Sequence, residues 1–419
     1  MTRLLRVFGR VGLLSFGGPA AQMALMHRVL VDEEKWLDEQ DYLNALGFCM
    51  LLPGPEAMQL ATWAGWRIHG TPGGLIAGLL FVLPGALVVG VLAYLYATLG
   101  NVPLVTGLFF GIKTVVLAVV LEALLKISNR ILNRSLYWWI AGAAFVSIFF
   151  MGLPFPLIVV LAALAGFVST QSEPSDQVVA ENVGISFVAS LKTILIWCGI
   201  WAIPFVVFGL LIPNELLISI AQFFSKLAVV TFGGAYAVLA YMTQTVVNDF
   251  GWLTTGEMMD GLGLAETTPG PLILVTEFVA YLAGHRAGGV TVAILASVVA
   301  VWVTFVPCFL WIFAGAPYIS WLSHQPRLKA SISAITAAVV GVILHLSLWF
   351  AMHVLFGQVE ITRFGLISLW LPQLGTINFF ALVFSLISAL LLMGLHWSVF
   401  RVLLIAALSG AGLSALGPI

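Results

Sequence analysis

Near residue 270 an apolar run is interrupted by Pro269-Gly270-Pro271, with Glu266 just before the break and Glu277 shortly after it. The pattern also stands earlier, as Pro53-Gly54-Pro55 followed at once by Glu56 and then, at helical spacing, by Gln59 and Thr62. Such a break strips backbone N–H groups of their helical partners, and an apolar surrounding makes each unpaired donor costly. The helix that resumes afterwards starts with open donors and roughly half a positive charge, so the natural occupant is an anion. A second pair of breaks stands at Ser15-Phe16-Gly17-Gly18 and Thr231-Phe232-Gly233-Gly234. Four convergent helix starts would sum to roughly two positive charges, which suits a dianion. The candidate binding set is therefore Ser15, Gly17, Gly18, Pro53, Gly54, Pro55, Gln59, Thr231, Gly233, Gly234, Pro269, Gly270 and Pro271. Arg10 and Lys226 join it, each five residues before a glycine break or its flanking hydroxyl residue. An acid in mid-membrane costs about 2.5–3.5 kcal/mol on insertion scales, so Glu56, Glu266 and Glu277 are candidates for coupling or gating. The plainer readings are kink and packing for the glycines and prolines, interfacial anchoring for the two cations, and pairing with a nearby polar group for the acids.

The elements that carry these residues are membrane helices. Of 419 residues, 61% are apolar and only 8% charged, and apolar runs of spanning length recur along the chain. The fold class expected is all-α and polytopic. A formal charge of −1 argues against nucleic acid as a partner. Cys49, Cys198 and Cys308 are far apart in apolar sequence and read as free thiols. No histidine or cysteine spacing fits a metal cluster or a nucleophile with its base, so neither an enzyme, a metal nor a cofactor is expected. The cationic first residues run on without a small-residue cleavage site and read as part of a first span.

Laid over itself at an offset of 216, the chain repeats: Phe16-Gly17-Gly18 falls on Phe232-Gly233-Gly234, Trp36 on Trp252, Asp41 on Glu257 and Pro53-Gly54-Pro55 on Pro269-Gly270-Pro271. Farther on the offset is 223, with Pro84 on Pro307. This gives a first repeat over 1–170, a linker and extra helix over 171–212, and a second repeat over 213–419. The apolar segments number about 13: 5–27, 42–66, 73–98, 104–126, 136–151 and 154–170, then 185–212, then 223–246, 257–284, 288–316, 330–352, 376–394 and 400–417. The strongest cation clusters, Lys126 to Arg134 and Arg327 with Lys329, are not at equivalent positions, and an odd number of spans separates the repeats. Both features predict an inverted pair. With a cytoplasmic start at Arg3, Arg6 and Arg10, this ladder places residues 126–134, 324–329 and Arg401 inside and the acidic stretch DEEKWLDE outside. Asp41 and Glu257 read as acids at helix starts, while His69 and His285 read as interfacial residues.

SFGGP with LLPGPEAMQLATWAGWRIHGTPGG, and TFGG with GLAETTPGPLI, resemble the chromate ion transporter family of the two-domain type. The resemblance covers both repeats. It implies a multi-pass carrier of the bacterial inner membrane that expels chromate and confers chromate resistance, with sulfate as the isosteric competitor. A sulfate or other oxyanion carrier, or an anion channel, is the alternative. The lipid bilayer is the remaining partner, and the assembly is left open, a homodimer included. The second repeat departs from the pattern at Ala235 and Leu272, where the first has Pro19 and Glu56.

Overall fold

The computed structural model describes residues 1–100, 102–169, 187–232, 235–319, 325–365 and 367–416. The described chain is helical but for one hairpin. It runs α1 (Thr2–Leu14), α2 (Gly18–His27), α3 (Glu39–Leu51), α4 (Glu56–Leu99), α5 (Pro103–Ile131), α6 (Ser135–Phe149), α7 (Phe155–Ser169), α8 (Phe187–Val206), α9 (Glu215–Val230), α10 (Ala235–Gln244), α11 (Thr255–Thr267), α12 (Val275–Gly315) and α13 (Pro326–Leu355). An antiparallel hairpin of β1 (Val359–Phe364) and β2 (Ile367–Pro372) precedes α14 (Phe379–Ala389) and α15 (Val399–Leu416). Among the described residues, five helical segments are long and apolar enough to cross a membrane: Glu56–Leu99, Pro103–Ile131, Val188–Leu211, Leu272–Tyr318 and Pro326–Leu355. Four shorter apolar helices accompany them. The chain is an all-α multi-pass membrane protein.

Element order recurs with the sequence repeat. A π-helical turn follows α2 at Arg28–Glu33 and another follows α10 at Thr245–Asp249. Helix α4 breaks at His69–Gly70 and α12 at Gly288–Gly289, with closely similar backbone angles. The helix starts are capped locally: Asp38 accepts from the Asp41 N–H at 2.7 Å, and Thr254 and Glu257 cap each other's N–H groups at the start of α11. Asp41 and Glu257 stand as acids in the first turns of α3 and α11, and of the two only the Glu257 carboxylate is in a cap.

The chain divides into two compact units, each drawing on both repeats. Residues 1–94, 167–235 and 268–332 form the first; residues 95–166, 236–267 and 333–419 form the second. In the first unit, small residues let backbones approach closely. A Cβ on Gly12 of α1 would lie 2.0 Å from the Leu80 carbonyl oxygen of α4, and one on Gly78 would lie 2.4 Å from Thr62 Oγ1 across the α4 break. In the second unit, α15 lies along α5 through Gly107, Gly111 and Gly410 in the same manner, and Gly263 of α11 rests on Ile112 of α5.

The apolar segment 5–27 is broken at its glycine motif, as expected: α1 ends at Leu14, the chain turns at Ser15 to Gly17, and α2 begins at Gly18. At about 20 Å, a 13-residue helix falls short of a hydrocarbon core of about 30 Å. One expectation needs correction: the N-terminal arginines and DEEKWLDE do not lie on opposite sides. Arg3 pairs with Glu34 at 2.7 Å and Arg10 with Glu33 at 3.0 Å, so the acidic stretch after α2 lies against α1 rather than across a membrane from it. Counting charges by sign hid this, because the acids and the cations are each other's partners.

Candidate functional site

The first unit brings the breaks of both repeats together through a reciprocal pair of backbone hydrogen bonds. Gly54 N–H donates to the Thr231 carbonyl at 2.8 Å, and Gly270 N–H donates to the Ser15 carbonyl at 2.9 Å. Since Ser15 aligns with Thr231 and Gly54 with Gly270, each Pro-Gly-Pro break is held by the glycine break of the other repeat. Contacts in which i meets j and j meets i are the mark of a two-fold relation. Local geometry is duplicated too. Ser15 Oγ donates to the Val11 carbonyl and Thr231 Oγ1 to the Leu227 carbonyl, both at 2.6 Å, and both hydroxyl residues are buried. These bonds turn the chain out of the helix while presenting the residue's own carbonyl forward. Gly54 and Gly270 adopt φ of +117° and +89°, which an L side chain rarely does.

The second arms of α4 and α12 close over the breaks in crossed fashion. A Cβ on Gly85 of α4 would sit 2.3 Å from the Pro269 carbonyl oxygen, and a Cβ on Gly54 would meet Cys308 Sγ of α12 at 3.0 Å. Gly85 and Cys308 are equivalent positions of the two repeats, so this seat is duplicated but filled differently.

Between the breaks lies a cavity of about 20 Å³, lined by Pro19, Gln22, Gly54, Pro55, Glu56, Ala57, Thr231, Pro271, Leu272 and Ile273. That is room for about one water molecule. The first turn of α4 and the turn after Pro271 both line it, and first-turn N–H groups of a helix have no intrahelical partner. Glu56 is the acid among the lining residues.

The sequence-derived residues divide accordingly. Ser15, Thr231, Gly54, Pro55, Gly270 and Pro271 belong to the junction or its cavity. Pro53 and Gln59 are tied together, because Gln59 Nε2 donates to the Pro53 carbonyl at 2.6 Å and thereby caps its own break. Pro269 faces Gly85. Gly17 and Gly18 form the turn into α2 without lining the cavity. Gly233 and Gly234 lie outside the described residues. Arg10 is exposed and paired with Glu33, and Lys226 is exposed; neither lines the cavity. Glu277 is buried in the first unit, where a Cβ on Gly90 of α4 would come within 3.1 Å of its Oε1. Glu266 is buried in the second unit and accepts from Tyr236 OH at 2.9 Å.

Sequence reasoning missed Gln22. Its Nε2 donates to the Gly270 carbonyl at 2.6 Å and reaches the Ser15 carbonyl at 3.3 Å, so one buried amide bridges the two repeats beside the cavity. Its counterpart is Val238, so no repeated polar position pointed to it.

Spanning-length apolar helices and two helix breaks interlocked over a buried cavity define a polytopic membrane protein with a broken-helix site. The chain belongs to the chromate transporter family, which matches it over residues 2–167 and 218–412. It is 32% identical over 344 residues to the chromate transport protein of Pseudomonas aeruginosa, covering 80% of this chain and 77% of that one. It is 29% identical over 350 residues to the probable chromate transport protein of Synechococcus elongatus, covering 82% of each. The chromate transport protein of Cupriavidus metallidurans is 29% identical over 353 residues, or 82% of this chain and 80% of that protein. No solved structure matches the chain.

Proposed function

We propose that this protein is a secondary transporter that carries chromate out across the bacterial inner membrane and so confers chromate resistance, with sulfate competing as an isostere. Membership of the chromate transporter family supports the substrate class. The observation that carries the mechanism is the reciprocal bond pair, Gly54 to Thr231 and Gly270 to Ser15. A cavity with room for one water cannot hold a tetrahedral oxyanion, so the breaks must part to admit it. Parting releases two glycine N–H donors from carbonyls and leaves them for the oxyanion. The ion therefore replaces a bond that the closed form already makes, and the donors are satisfied in both states.

Glu56 gives this exchange a reason to be proton-linked. Glu56 is the acid that lines the cavity, and a carboxylate and a dianion in one small site repel strongly. Protonation of Glu56 lets the anion in; its loss drives the anion out. Glu266 and Glu277 are the further coupling candidates. Replacing each of the three by Gln, and measuring flux against pH, is expected to flatten the profile in at least one variant.

The inverted arrangement is part of the same reading, in a revised form. If α1 with α2, and α3 with the arm of α4 before its His69–Gly70 break, together with their counterparts in the second repeat, enter and leave by one side, the five long and four shorter apolar helices make nine crossings. An odd five then separates equivalent points, which inverts the second repeat. Arg3, Arg67, residues 126–134, Arg327, Lys329 and Arg401 all fall inside, as cytoplasmic loops require. Reporter fusions after 36, 132 and 328 are expected to read cytoplasmic, and those after 102 and 358 periplasmic. A periplasmic reading at 36 would restore a straight first span, and equal readings in equivalent loops would end the inversion.

Radiolabelled chromate uptake into everted vesicles, with sulfate competition and an imposed pH gradient, tests the function. Uptake that sulfate inhibits is the expected result. Sulfate transport without chromate transport would reassign the substrate, and uncoupled current in a planar bilayer would make the protein a channel.

A further inference from the structure

The second unit holds a buried charge cluster that the central site does not use. On α11, Asp260 Oδ1 lies 2.9 Å from Lys113 Nζ of α5, while Oδ2 accepts from Tyr96 OH at 2.6 Å. The Asp260 side chain is 8% exposed and that of Lys113 is 22% exposed. Burying two charges is expensive, and a well-packed apolar pair is often as stable or more so, which makes such a pair weak as a stability device and a functional candidate inside a membrane. A cavity of about 230 Å³ adjoins it, lined by Lys113, Thr114, His353 and Asn378 among others. It is large enough for several waters. Lys113, the ion-pair partner of the acid, is among the residues that line it.

The helix that bears this acid is the one that runs into the second Pro-Gly-Pro break. In the first repeat the equivalent position is Asn44, which cannot titrate. We propose that Asp260 is a proton-binding site of the transport cycle, with Lys113 as its counter-charge, Tyr96 as its fixed donor and the adjoining cavity as its route to water. When Asp260 takes a proton, the ion pair opens and Lys113 turns to the cavity, loosening the hold of α5 on α11. When the proton leaves, the pair re-forms and α11 is held again. The other ionisable groups about it are Glu257, one turn earlier on α11, and His353 of α13 across the cavity; His353 Nδ1 is 2.8 Å from the Trp349 carbonyl. The proposal rests on the transporter reading, so one of its tests is independent of transport.

That test is infrared difference titration of the purified wild-type protein against Asp260→Asn. The wild type is expected to gain a protonated-carboxyl band on acidification that the variant lacks, and identical difference spectra would overturn the assignment. The second test is chromate flux against pH in liposomes. One linked proton allows up to about tenfold change per pH unit. The double variant Lys113→Met with Asp260→Asn removes both charges and leaves neither unpaired, and its flux is expected to change with pH less steeply than the wild type's, by up to about tenfold per pH unit, while the dependence due to Glu56 remains. Asp260→Glu keeps the titrating group and is expected to keep the slope. A wild-type slope in the double variant, or a flat profile in Asp260→Glu, would make the pair structural. A wild type that titrates Asp260 yet moves no oxyanion would count against the transporter function instead.

Discussion

The two Pro-Gly-Pro breaks share a backbone and differ in almost every polar side chain around it. The first is served by amides: Gln59 caps it from within, and Gln22 of the same repeat reaches across to cap Gly270 of the other. The second has Val275 and Val238 at those positions. It carries more acids, with Asp260 and Glu266 on the helix before the break and Glu277 after it, where the first repeat has Asn44, Met50 and Ala61 and keeps one acid, Glu56, directly after its own break. The fixed amide caps thus belong to the first copy, while most of the acids belong to the second. A duplicated frame lets these be divided, since either break alone would have to be both rigid enough to hold an ion and soft enough to release it.

The sharpest way to break this comparison is to equalise the two seats. Gly85→Ala puts a methyl 2.3 Å from a backbone carbonyl that cannot rotate away, and overpacking of this kind costs typically about 1–3 kcal/mol. Transport is expected to be abolished at Gly85→Ala, while Cys308→Gly, which copies the first repeat's residue, retains it. Equal activity of the two variants, after expression is matched, would show that the crossed packing is not needed.

Next in size is Gly270→Ala, where φ of +89° and the Gly85 Cα, 3.3 Å from the added methyl, both oppose a side chain. Loss of flux at normal protein level is expected. Gln22→Leu follows, because it leaves the Gly270 carbonyl buried without this donor at a cost of about 1–3 kcal/mol. That corresponds to roughly a tenfold loss of flux, and a chromate transport assay that finds wild-type rates would remove Gln22 from the junction. Smallest is Lys226→Gln. The lysine is exposed and off the cavity, so apparent affinity is expected to weaken by no more than about threefold through the long-range field. A dead Lys226→Gln beside an active Gly270→Ala would move the site from backbone donors to a side-chain cation.

The repeat, both kinds of break and the polytopic class were legible because they depend on local composition and on residues that only a broken helix tolerates. What the breaks do to each other was not, since Gly54 meets Thr231 and Gly270 meets Ser15 through backbone atoms, which look alike at every position of a sequence. The donors expected to be open were those of the half-helix after each break; the glycine N–H groups at the breaks themselves are engaged. Gln22 escaped notice for lack of a counterpart, and Asp260 because its partners Lys113 and Tyr96 lie far off in the chain, in what read as an ordinary apolar span. Arg10 pairs with Glu33, an acid that counting charges by sign had set on the opposite side.

Helix α8 puts little of itself into the packing. From Val188 to Leu211 only Trp197 and Pro204 are buried, although Trp197 stacks on Phe309 and Trp302 donates to the Ile200 carbonyl. A segment so sparingly docked earns its place by arithmetic. Two separately made halves could each choose their own way up in the bilayer, but a single ribosome threads one chain, and a repeat duplicated end to end with an even count of crossings would emerge facing the same way twice. In the inverted arrangement proposed above, one additional passage through lipid, with few demands on its sequence beyond length and oiliness, is what would turn the second copy over. On this account α8 is the most replaceable helix in sequence and the least dispensable in number.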